Sequence, residues 1–445
     1  MRRHWRLEGS LSDIRYTSGA LGTYDAGLMT ATAVVIRPED QAVLVLPSGL
    51  PRVEAAQKLW FHQVGVVLRA FREQLGIEAY VLQCLGAEPN YLMTCVGDVP
   101  AEARWVQDFD HPLVDAAREH LALPPDAPLT PAWTRPDWYA GALAWIDRHV
   151  ERTGVPAQVR SWGLSNVLRV PTTTGDVYFK ALAHRSTVVL DRADAAPLLF
   201  AHEPQLLDRL STERPGQVVR PIAVDQDRVW MLLPDLGMPL AQQAGAGLWI
   251  DTLRSHARLQ RSFTDSPGDL LAMSCFDRGL GRLAGELERV LGSNELTTQL
   301  TGEERDRLSS REPELREAVA ELASIGVPET LLHGDLHPGN VGVRDERTFA
   351  FDWTDAAVSH PFLDLVTFVE EGNLLSGSQA LKDAYLGVWQ DFAPLPALRH
   401  GLDLAARVGS LYQAVTYLHL VDNLAGPSRD SMANGGVGWL RNLVG

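Results

Sequence analysis

The sequence has little cysteine, no long apolar run and no excess of basic charge. Its three cysteines, Cys84, Cys95 and Cys275, form no CxxC pair and cannot all be paired, so neither a disulfide framework nor a zinc site is indicated. No stretch is apolar for long enough to cross a bilayer. The formal net charge is −16, which argues against nucleic acid as a partner because that role needs a basic face.

The composition is that of a globular protein with cores of its own. Hydrophobic residues make up 45% of the chain, and a length of 445 residues predicts two or three domains. The N-terminal residues MRRHWRLEGS are basic but have no apolar run behind them, so we expect no secretory signal and a cytoplasmic protein. The acidic balance favours solubility and would suit a cationic substrate.

The chain divides by pattern into four regions. Residues 1–120 predict a small α+β domain, with four short β-branched strands and one long helix over residues 53–75 that ends at Gly76. The proline-rich residues 121–155 predict a linker followed by a helix, because proline fixes φ and removes backbone donors. Residues 156–237 alternate like antiparallel strands around one helix, and residues 238–445 are mostly helical.

The stretch LLHGDLHPGNVGV, residues 331–343, sets an acid and an amide in a polar loop between apolar segments. Asp335 and Asn340 lie in this loop, and the apolar run FAF that follows ends in Asp352. A carboxylate and an amide that face a second carboxylate form a site of hard oxygen ligands. Mg²⁺ prefers such a site, and substrate phosphates usually complete its ligand shell. The remaining carboxylate can accept a proton from a hydroxyl, as phosphoryl transfer requires. If the loop is considered by itself, the alternative to a catalytic role is a turn with Asx hydrogen bonds and no chemistry.

Upstream residues fit the other half of that chemistry. Lys180 lies in the apolar strand VYFKAL, where an unpaired ammonium would be costly, and Glu203 lies early in the next helix. A strand lysine that pairs with a helix glutamate and touches nucleotide phosphates is the kinase arrangement. In the preceding turn, SWGLSN, the backbone N–H groups of Gly163, Ser165 and Asn166 are predicted to cover phosphates. The alternative for Lys180 is an edge-strand lysine that points to water.

The motifs HGDLHPGN, FDWTDA and SHPFLDLVTFVEE resemble those of the aminoglycoside phosphotransferase and choline kinase family. The resemblance covers residues 156–445 and implies an α+β, bilobal protein-kinase-like fold, with a β-rich N-lobe and a mostly helical C-lobe behind the small first domain. It implies ATP or GTP and Mg²⁺ as cofactors and a small hydroxylated acceptor. Aminoglycosides, choline, sugars and amino-alcohols stay open as acceptors, and the net charge favours a cationic one.

The resemblance implies roles for four residues of the C-lobe. Asp335 resembles the catalytic base of the loop motif. Asn340 resembles the metal-binding amide of that loop, and Asp352 resembles the metal-binding acid of the next motif. Asp364, in PFLDL, resembles an acid that braces the catalytic loop.

The resemblance also implies a nucleotide site in the N-lobe. Lys180 resembles the phosphate-anchoring lysine, and Glu203 resembles its partner. The segment MLLPDLG, with Leu232, Leu233 and Asp235, resembles the connector where backbone groups meet adenine. The turn SWGLSN has one glycine instead of the three of protein kinases, which leaves the phosphate contacts open.

The first domain has a weaker resemblance, to a nudix hydrolase. The stretch LRAFREQLGI resembles the end of a nudix box, but Ala70 and Gln74 replace glutamates, only Glu73 remains, and Phe61 stands where an upstream glutamate would be. One acid cannot hold the metal of such an enzyme. A degenerate nudix-like fold and an ordinary amphipathic helix on a small sheet both fit.

Two other functions stay open. The chain would be a non-catalytic nucleotide-binding module if the loop residues had no chemistry, and the intact set of Asp335, Asn340 and Asp352 argues against that. It would be bifunctional if the nudix-like domain were a working hydrolase, and the missing glutamates argue against that.

Overall fold

The first part of the chain, in the computed structural model, is a mixed six-stranded sheet. The structure describes residues 29–55, 62–86, 89–125, 127, 129–183, 200–243, 245–370 and 378–444. The strands of this first sheet are β1 (Met29–Ile36), β2 (Val43–Val45), β3 (Arg52–Ala55), β4 (Ala79–Cys84), β5 (Asn90–Cys95) and β6 (Arg104–Val106). Their order is β4-β5-β1-β2-β6, with β3 paired to β1. Strands β1 and β5 run parallel, so the sheet is not a simple meander.

Helix α1 (Val64–Leu75) packs beside this sheet and starts later than predicted. It ends at Gly76 as predicted, with the glycine in the left-handed region at φ 64°. The predicted helix start at residues 53–55 is wrong, because Arg52–Ala55 form strand β3. Val53 and Ala55 are buried while their neighbours are exposed, and this two-residue alternation fits a strand that pairs with β1.

The residues of the weak nudix resemblance lie on α1 and form no acidic cluster within the described part of the chain. Glu73 is exposed and Ala70 is buried. The Gln74 side chain donates to the backbone oxygen of Glu54 at 2.7 Å. Phe61 lies outside the described residues.

A five-stranded antiparallel sheet forms the next layer. The strands of this second sheet are β7 (Ala157–Ser161), β8 (Ser165–Thr172), β9 (Gly175–Leu182), β10 (Ala223–Asp225) and β11 (Trp230–Pro234), in the order β10-β11-β9-β8-β7. Helix α4 (Glu203–Glu213) lies between β9 and β10 in the chain. This is the β-rich lobe expected from the alternating pattern.

Helices α2 (Pro112–Ala122) and α3 (Trp138–Asp147) contribute to a core shared by both sheets. The Trp145 ring lies 5.7 Å from that of Phe179 on β9, centroid to centroid. Val34 and other residues of the first sheet belong to the same core. The proline-rich segment adds a buried tryptophan, Trp133, so this stretch packs into the protein instead of acting as a free linker.

The rest of the described chain is mostly helical, as predicted. Its helices are α5 (Ala246–Arg261), α6 (Pro267–Ala272), α7 (Leu280–Gly292), α8 (Asn294–Thr297), α9 (Gly302–Ser310), α10 (Glu312–Ser324), α11 (Asp364–Glu370), α12 (Gln379–Leu386), α13 (Leu395–Asp422) and α14 (Gly426–Val444). Its short strands are β12 (Met238–Pro239), β13 (Phe276–Asp277), β14 (Thr330–Leu332), β15 (Val341–Arg344), β16 (Arg347–Ala350) and β17 (Ala357–Ser359). Within the described ranges, no helix is both long and apolar enough to cross a membrane.

The edges of the two sheets are joined by a buried polar contact at Gln158. Strand β4 is an edge of the first sheet, so one row of its backbone groups faces away from β5, and β7 is an edge of the second sheet. The Gln158 side chain on β7 accepts from the Val81 N–H of β4 at 2.8 Å and donates to the Val81 oxygen at 3.0 Å. Tyr139 of α3 donates to the same oxygen at 2.9 Å. Gln158 therefore satisfies backbone groups of the edge strand that would otherwise be buried without partners.

We expect Gln158→Ala to lower the free energy of unfolding by about 1–3 kcal/mol, because it leaves the buried Val81 N–H without a partner. Urea unfolding followed by tryptophan fluorescence measures the loss. Gln205→Ala, on the exposed face of α4, is the control and should change stability by less than about 0.5 kcal/mol. Equal effects of the two substitutions would contradict the bridging role of Gln158.

Candidate active site

Strand β9 aims Lys180 into a cleft between the second sheet and the helical part. Alternate residues of a strand point to opposite faces. Tyr178 and Lys180 line the cleft, whereas Phe179 and Ala181 enter the core shared with the first sheet. Val167 of β8 pairs directly with Lys180 and lines the same cleft. The cleft-facing side of the sheet thus combines apolar surface with one ammonium.

Lys180 is buried between two carboxylates. Its Nζ lies 3.0 and 2.8 Å from the two carboxylate oxygens of Glu203 and 2.6 Å from Asp352 Oδ1. Burial lowers the pKa of Lys180, but the charges of Asp352 and Glu203 outweigh it, so the pKa is raised and the ammonium stays protonated. The predicted strand–helix ion pair is thus present, and the acid predicted to bind metal joins it.

Glu203 is fixed by the start of α4 and by the segment that follows β16. It is the first residue of the helix, where a carboxylate complements the helix dipole. It is fully buried, and it accepts from the backbone N–H of Trp353 at 2.9 Å as well as from Lys180. Burial raises the pKa of Glu203, and the neighbouring Lys180 charge opposes that rise. The same side chain therefore connects α4, β9 and the residue after Asp352.

Asp352 follows β16 in a left-handed backbone conformation. Its φ is 65° and its ψ is 58°, a region that aspartate tolerates better than most residues. Thr354 Oγ1 donates to Asp352 Oδ1 at 3.1 Å. The turn brings the carboxylate back toward the cleft that Lys180 and Asn340 also line.

The loop with Asp335 and Asn340 lies between β14 and β15. Asn340 is buried, and its Nδ2 donates to the Asp335 backbone oxygen at 3.0 Å and lies 3.4 Å from Asp335 Oδ2. The Asp335 side chain is 32% exposed, so it stays accessible to a substrate. His337 Nδ1 accepts from Gly339 N–H at 3.0 Å, and burial lowers the pKa of His337 to about 3. His337 is therefore neutral at pH 7 and shapes the loop.

Asp364 holds the start of this loop. Its carboxylate accepts from the backbone N–H groups of His333 and Gly334, each at 2.8 Å. Gln260 Nε2 donates to it at 2.9 Å, and His256 Nε2 lies at 2.9 Å. These contacts are the bracing arrangement that the resemblance implied for Asp364.

The glycine of the HGD motif is required by a close approach of two backbone segments. Gly334 has φ 84°, in the left-handed region that favours glycine. A Cβ at this position would lie 2.1 Å from the backbone oxygen of Asp355. The residue before Asp335 therefore packs directly against the segment that follows Asp352.

The turn SWGLSN is already bonded to its surroundings, and only part of it reaches the cleft. Gly163 N–H donates to Ser428 Oγ of α14 at 3.0 Å, and Trp162 Nε1 donates to Ser165 Oγ at 3.0 Å. Ser165 lines the cleft. The structure does not bring the Asn166 side chain there, because it is fully buried and donates to Tyr139 OH at 2.9 Å.

The predicted connector begins within β11, and one of its three predicted residues reaches the cleft. Leu233 lines the cleft, together with Pro234. The side chain of Leu232 points to the other face of the sheet, and its backbone oxygen accepts from Ile222 N–H at 2.7 Å. Asp235 does not line the cleft, because its carboxylate turns back to accept from Gly237 N–H at 2.9 Å.

Other cleft residues were not predicted. Tyr178 and Val167 share the face of Lys180, so strand alternation and register would have indicated them. Gln63 comes from the first part of the chain, just before α1, and Arg160 comes from β7. The presence of these two depends on how the sheets dock, and no local sequence pattern carries that information.

We expect Asp364→Asn to lower the free energy of unfolding by about 2–5 kcal/mol. The carboxylate now accepts from several N–H donors, and the amide NH₂ that replaces one of its oxygens is itself a donor and cannot accept from them. Chemical unfolding at pH 7 measures the change. Asp383→Asn, which breaks a solvent-accessible pair with Arg399, is the matched control and should have little effect. A cost at Asp364 no greater than at Asp383 would contradict the bracing role.

Comparison with known proteins identifies a matching sequence family. Residues 166–400, more than half of the chain, match the sequence model of the phosphotransferase enzyme family. The matched region contains the Lys180 strand, the HGDLHPGN loop and the FDWTDA motif. No curated protein matches the chain significantly.

Several solved structures are similar to part of the chain. A choline/ethanolamine kinase family protein from Mesorhizobium loti is 19% identical with a TM-score of 0.46, covering 69% of this chain and 94% of that one. Macrolide 2′-phosphotransferase MphH from Brachybacterium faecium is 21% identical with a TM-score of 0.44, covering 67% and 98%. The GDP complex of aminoglycoside 2′-phosphotransferase-IIIa is 14% identical with a TM-score of 0.48, covering 69% and 97%.

Proposed function

Because the chain belongs to the phosphotransferase enzyme family, we propose that it transfers the γ-phosphoryl group of ATP or GTP to a hydroxyl group of a small molecule. The observation that carries this proposal is one cleft lined by Lys180, Asn340 and Asp352, next to the accessible carboxylate of Asp335. A cation for phosphates, oxygen ligands for a metal and a proton acceptor are the parts that this reaction needs.

The nucleotide lies in this cleft with its base on the apolar side. Lys180, at the polar end, binds the phosphates. Its protonated state, held by Asp352 and Glu203, is the state that phosphate binding requires. Apolar surface for a planar ring is supplied by Val167, Tyr178, Leu233, Leu236 and Phe351.

Asp352 and Asn340 would hold Mg²⁺. The donor set fits this ion, because both side chains offer hard oxygen atoms and line the same cleft as Lys180. The Asn340 Nδ2 is engaged with the Asp335 backbone oxygen, so the amide oxygen is the ligand atom. Two protein ligands suit Mg²⁺, which commonly takes further ligands from phosphates and water. When bound, the ion neutralises charge that develops on the transferred phosphoryl group.

Asp335 accepts the proton of the acceptor hydroxyl. The hydroxyl oxygen forms a bond to the γ-phosphorus, the bond from that phosphorus to the bridging oxygen of the β-phosphate breaks, and the nucleoside diphosphate leaves. The proton passes to the Asp335 carboxylate. Asn340 fixes the backbone of Asp335, and Asp364 fixes the residues before it, so the carboxylate is presented from a rigid loop.

We expect Asp335→Asn to lower acceptor-stimulated nucleotide turnover by at least about 100-fold, because the amide cannot take the proton. A Mg²⁺-ATP and Mg²⁺-GTP assay against aminoglycosides, choline, sugars and amino-alcohols measures the loss, and nucleotide affinity should change little. Asp345→Asn, at an acid that is 90% exposed in the next turn, is the control and should keep full activity. Unchanged turnover in Asp335→Asn would refute the assigned base, and failure of the wild type to bind Mg²⁺-nucleotide would refute the function.

A further inference from the structure

Lys180 and Arg278 are the two lysine or arginine side chains that are buried in the described part of the chain. They differ in how their charges are balanced. Lys180 has carboxylate oxygens of Glu203 and Asp352 within 3.0 Å. For Arg278, which is 7% exposed, no carboxylate of the described residues lies within ion-pair distance, and its buried Nη1 makes no hydrogen bond to them. A buried cation in that state is costly unless a further group pairs with it.

Arg278 is linked to the catalytic loop through the small sheet of the helical part. It directly follows β13, and its backbone N–H donates to the Val358 oxygen of β17 at 3.0 Å. Strand β17 pairs with β14, which leads into the loop at His333. Asp355, just before β17, packs against Gly334, the residue before the catalytic acid.

Two aromatic rings fix the position of the guanidinium. Its carbon lies 5.2 Å from the ring centroid of Phe276 and 5.6 Å from that of Tyr412 on α13. The next residue of α13, Gln413, donates to the Gly334 oxygen at 3.1 Å. Helix α13, which contributes Tyr412, is therefore hydrogen-bonded to the loop that carries the catalytic acid. Such stacking orients a guanidinium without neutralising it.

Polar atoms around Arg278 also have no partners within the described structure. We call Arg278, Asp355, Tyr412 and His419 the Arg278 cluster. Arg278 Nη1, Asp355 Oδ1, the Tyr412 hydroxyl and His419 Nε2 are buried and make no hydrogen bond to described residues. Buried polar groups normally have partners, so unsatisfied atoms gathered at one place indicate a ligand that would supply them.

The groups of the cluster interact electrostatically with one another, and Asp335 interacts with one of them, Tyr412. Burial raises the pKa of Tyr412, the Arg278 charge opposes that rise, and the charges of Asp355 and Asp335 add to it. Burial also lowers the pKa of His419 to about 3, and the Arg278 charge adds to that effect. Tyr412 is therefore close enough to Asp335 for the two groups to interact electrostatically.

The chemistry of these groups indicates the charge of the ligand. Tyr412 and His419 are neutral at pH 7, and Tyr412 can donate a hydrogen bond. Burial raises the pKa of Asp355 to about 6 and the Arg278 charge opposes that rise, so this acid is mostly ionised at pH 7. A guanidinium carries its charge at every pH that a protein tolerates, and its fork of N–H groups matches carboxylate and phosphate oxygens. Arg278 Nη1 and the Tyr412 hydroxyl are thus the unpartnered donors that the cluster offers to an oxyanion.

We propose that the Arg278 cluster binds an oxyanion of the acceptor, a carboxylate or a phosphate monoester, and so directs the acceptor hydroxyl to Asp335. This inference rests on the proposed function. Arg278 and Tyr412 donate to the oxyanion, and Asp355 accepts from a further hydroxyl of the same molecule. The acceptor is then anionic, although the net charge of the chain favours a cationic one, because the groups in contact with a ligand decide its sign.

The first test measures thermal unfolding with small hydroxylated probes at constant ionic strength, with Mg²⁺ and a non-hydrolysable ATP or GTP analogue filling the nucleotide cleft. Glycerate and glycerol 3-phosphate carry the two oxyanions, and glycerol is the neutral control. We expect at least one anion to raise the wild-type Tm by about 2–4 °C and glycerol to leave it unchanged. The more effective anion distinguishes a carboxylate from a phosphate site.

Substitution at Arg278 shows whether the shift belongs to the cluster. Arg278→Met should abolish the anion-dependent shift, and Arg278→Lys should keep part of it. Arg282→Met, four residues on at a side chain that is 62% exposed, is the matched control and should respond like the wild type. Without probes, Arg278→Met should be about as stable as the wild type, because it removes a buried charge that makes no ion pair with a described carboxylate.

Three results would overturn the inference. The first is an absent shift in the wild type with both anions. The second is an equal shift in Arg278→Met and Arg282→Met, which would place the anion elsewhere. The third is a large loss of stability in Arg278→Met without probes, including failure to fold, which would show that Arg278 has a structural partner.

Turnover separates this inference from the proposed function. Tyr412→Phe removes one buried hydroxyl and keeps the ring, and we expect it to raise the KM for an anionic acceptor about 5–10-fold with little change in kcat. Phosphorylation of neutral or cationic acceptors with an unchanged KM in Tyr412→Phe and Arg278→Met would contradict the inference and leave the function intact. An anion-dependent Tm shift specific to Arg278, with no turnover of any acceptor, would support the anion site and count against the function.

Discussion

The ion pairing at Lys180 is the constraint on which the rest of the structure depends. One charge comes from a strand of the second sheet, one from the start of α4, and one from the turn after β16 in the helical part. The three groups are largely withdrawn from water, so the loss of Lys180 would leave two buried carboxylates without their partner, which is strongly destabilising. The sheet, the helix and the turn are therefore held in one relative position. That position sets the ammonium beside the carboxylate that we propose as a metal ligand.

The loop that carries Asp335 is held by a different set of contacts. Asp364 accepts from two backbone N–H groups at its start, and Gln413 of α13 donates to the Gly334 oxygen. These bonds fix the backbone and leave the Asp335 side chain partly exposed. In our account the site thus has two halves that meet at Asp335. The half around Lys180 pairs its charges internally and binds phosphates, and the half around Arg278 has buried donors without partners among the described residues until the acceptor supplies them.

The sequence was sufficient to predict the elements whose signals are local. Gly76 ends α1 as expected, because glycine is the residue that adopts a left-handed helix end without strain. The pairing of Lys180 with Glu203 was predictable, since an ammonium in an apolar strand needs a carboxylate and the next helix begins with one. Asn340 and Asp352 both line the cleft, because Asn340 precedes β15, Asp352 follows β16, and these two strands pair antiparallel. The β-rich and helical parts followed from the periodicity of their apolar residues.

Features that depend on long-range contacts were not predictable in this way. Residues 53–55 alternate over too few positions to reveal a strand, and only pairing with β1 makes them one. The proline-rich stretch reads as a linker until Trp133 is seen in the core between the sheets. Asn166 and Leu232 face that same core, because docking of the first sheet covers a surface that would otherwise be open. Arg278 has no motif around it, and its unusual state is visible only in the structure, where its buried Nη1 has no partner among the described residues.

The most direct test of the central claim is the affinity for ATP and GTP. It is compared with Mg²⁺ and with EDTA, in the wild type and in Asp352→Asn. Calorimetric titration measures it without knowledge of the acceptor. The account predicts that Mg²⁺ strengthens wild-type binding of at least one nucleotide by about tenfold or more, and that Asp352→Asn loses this dependence while keeping Glu203 as the partner of Lys180. Binding that does not depend on Mg²⁺, or a dependence that is unchanged in Asp352→Asn, would contradict it.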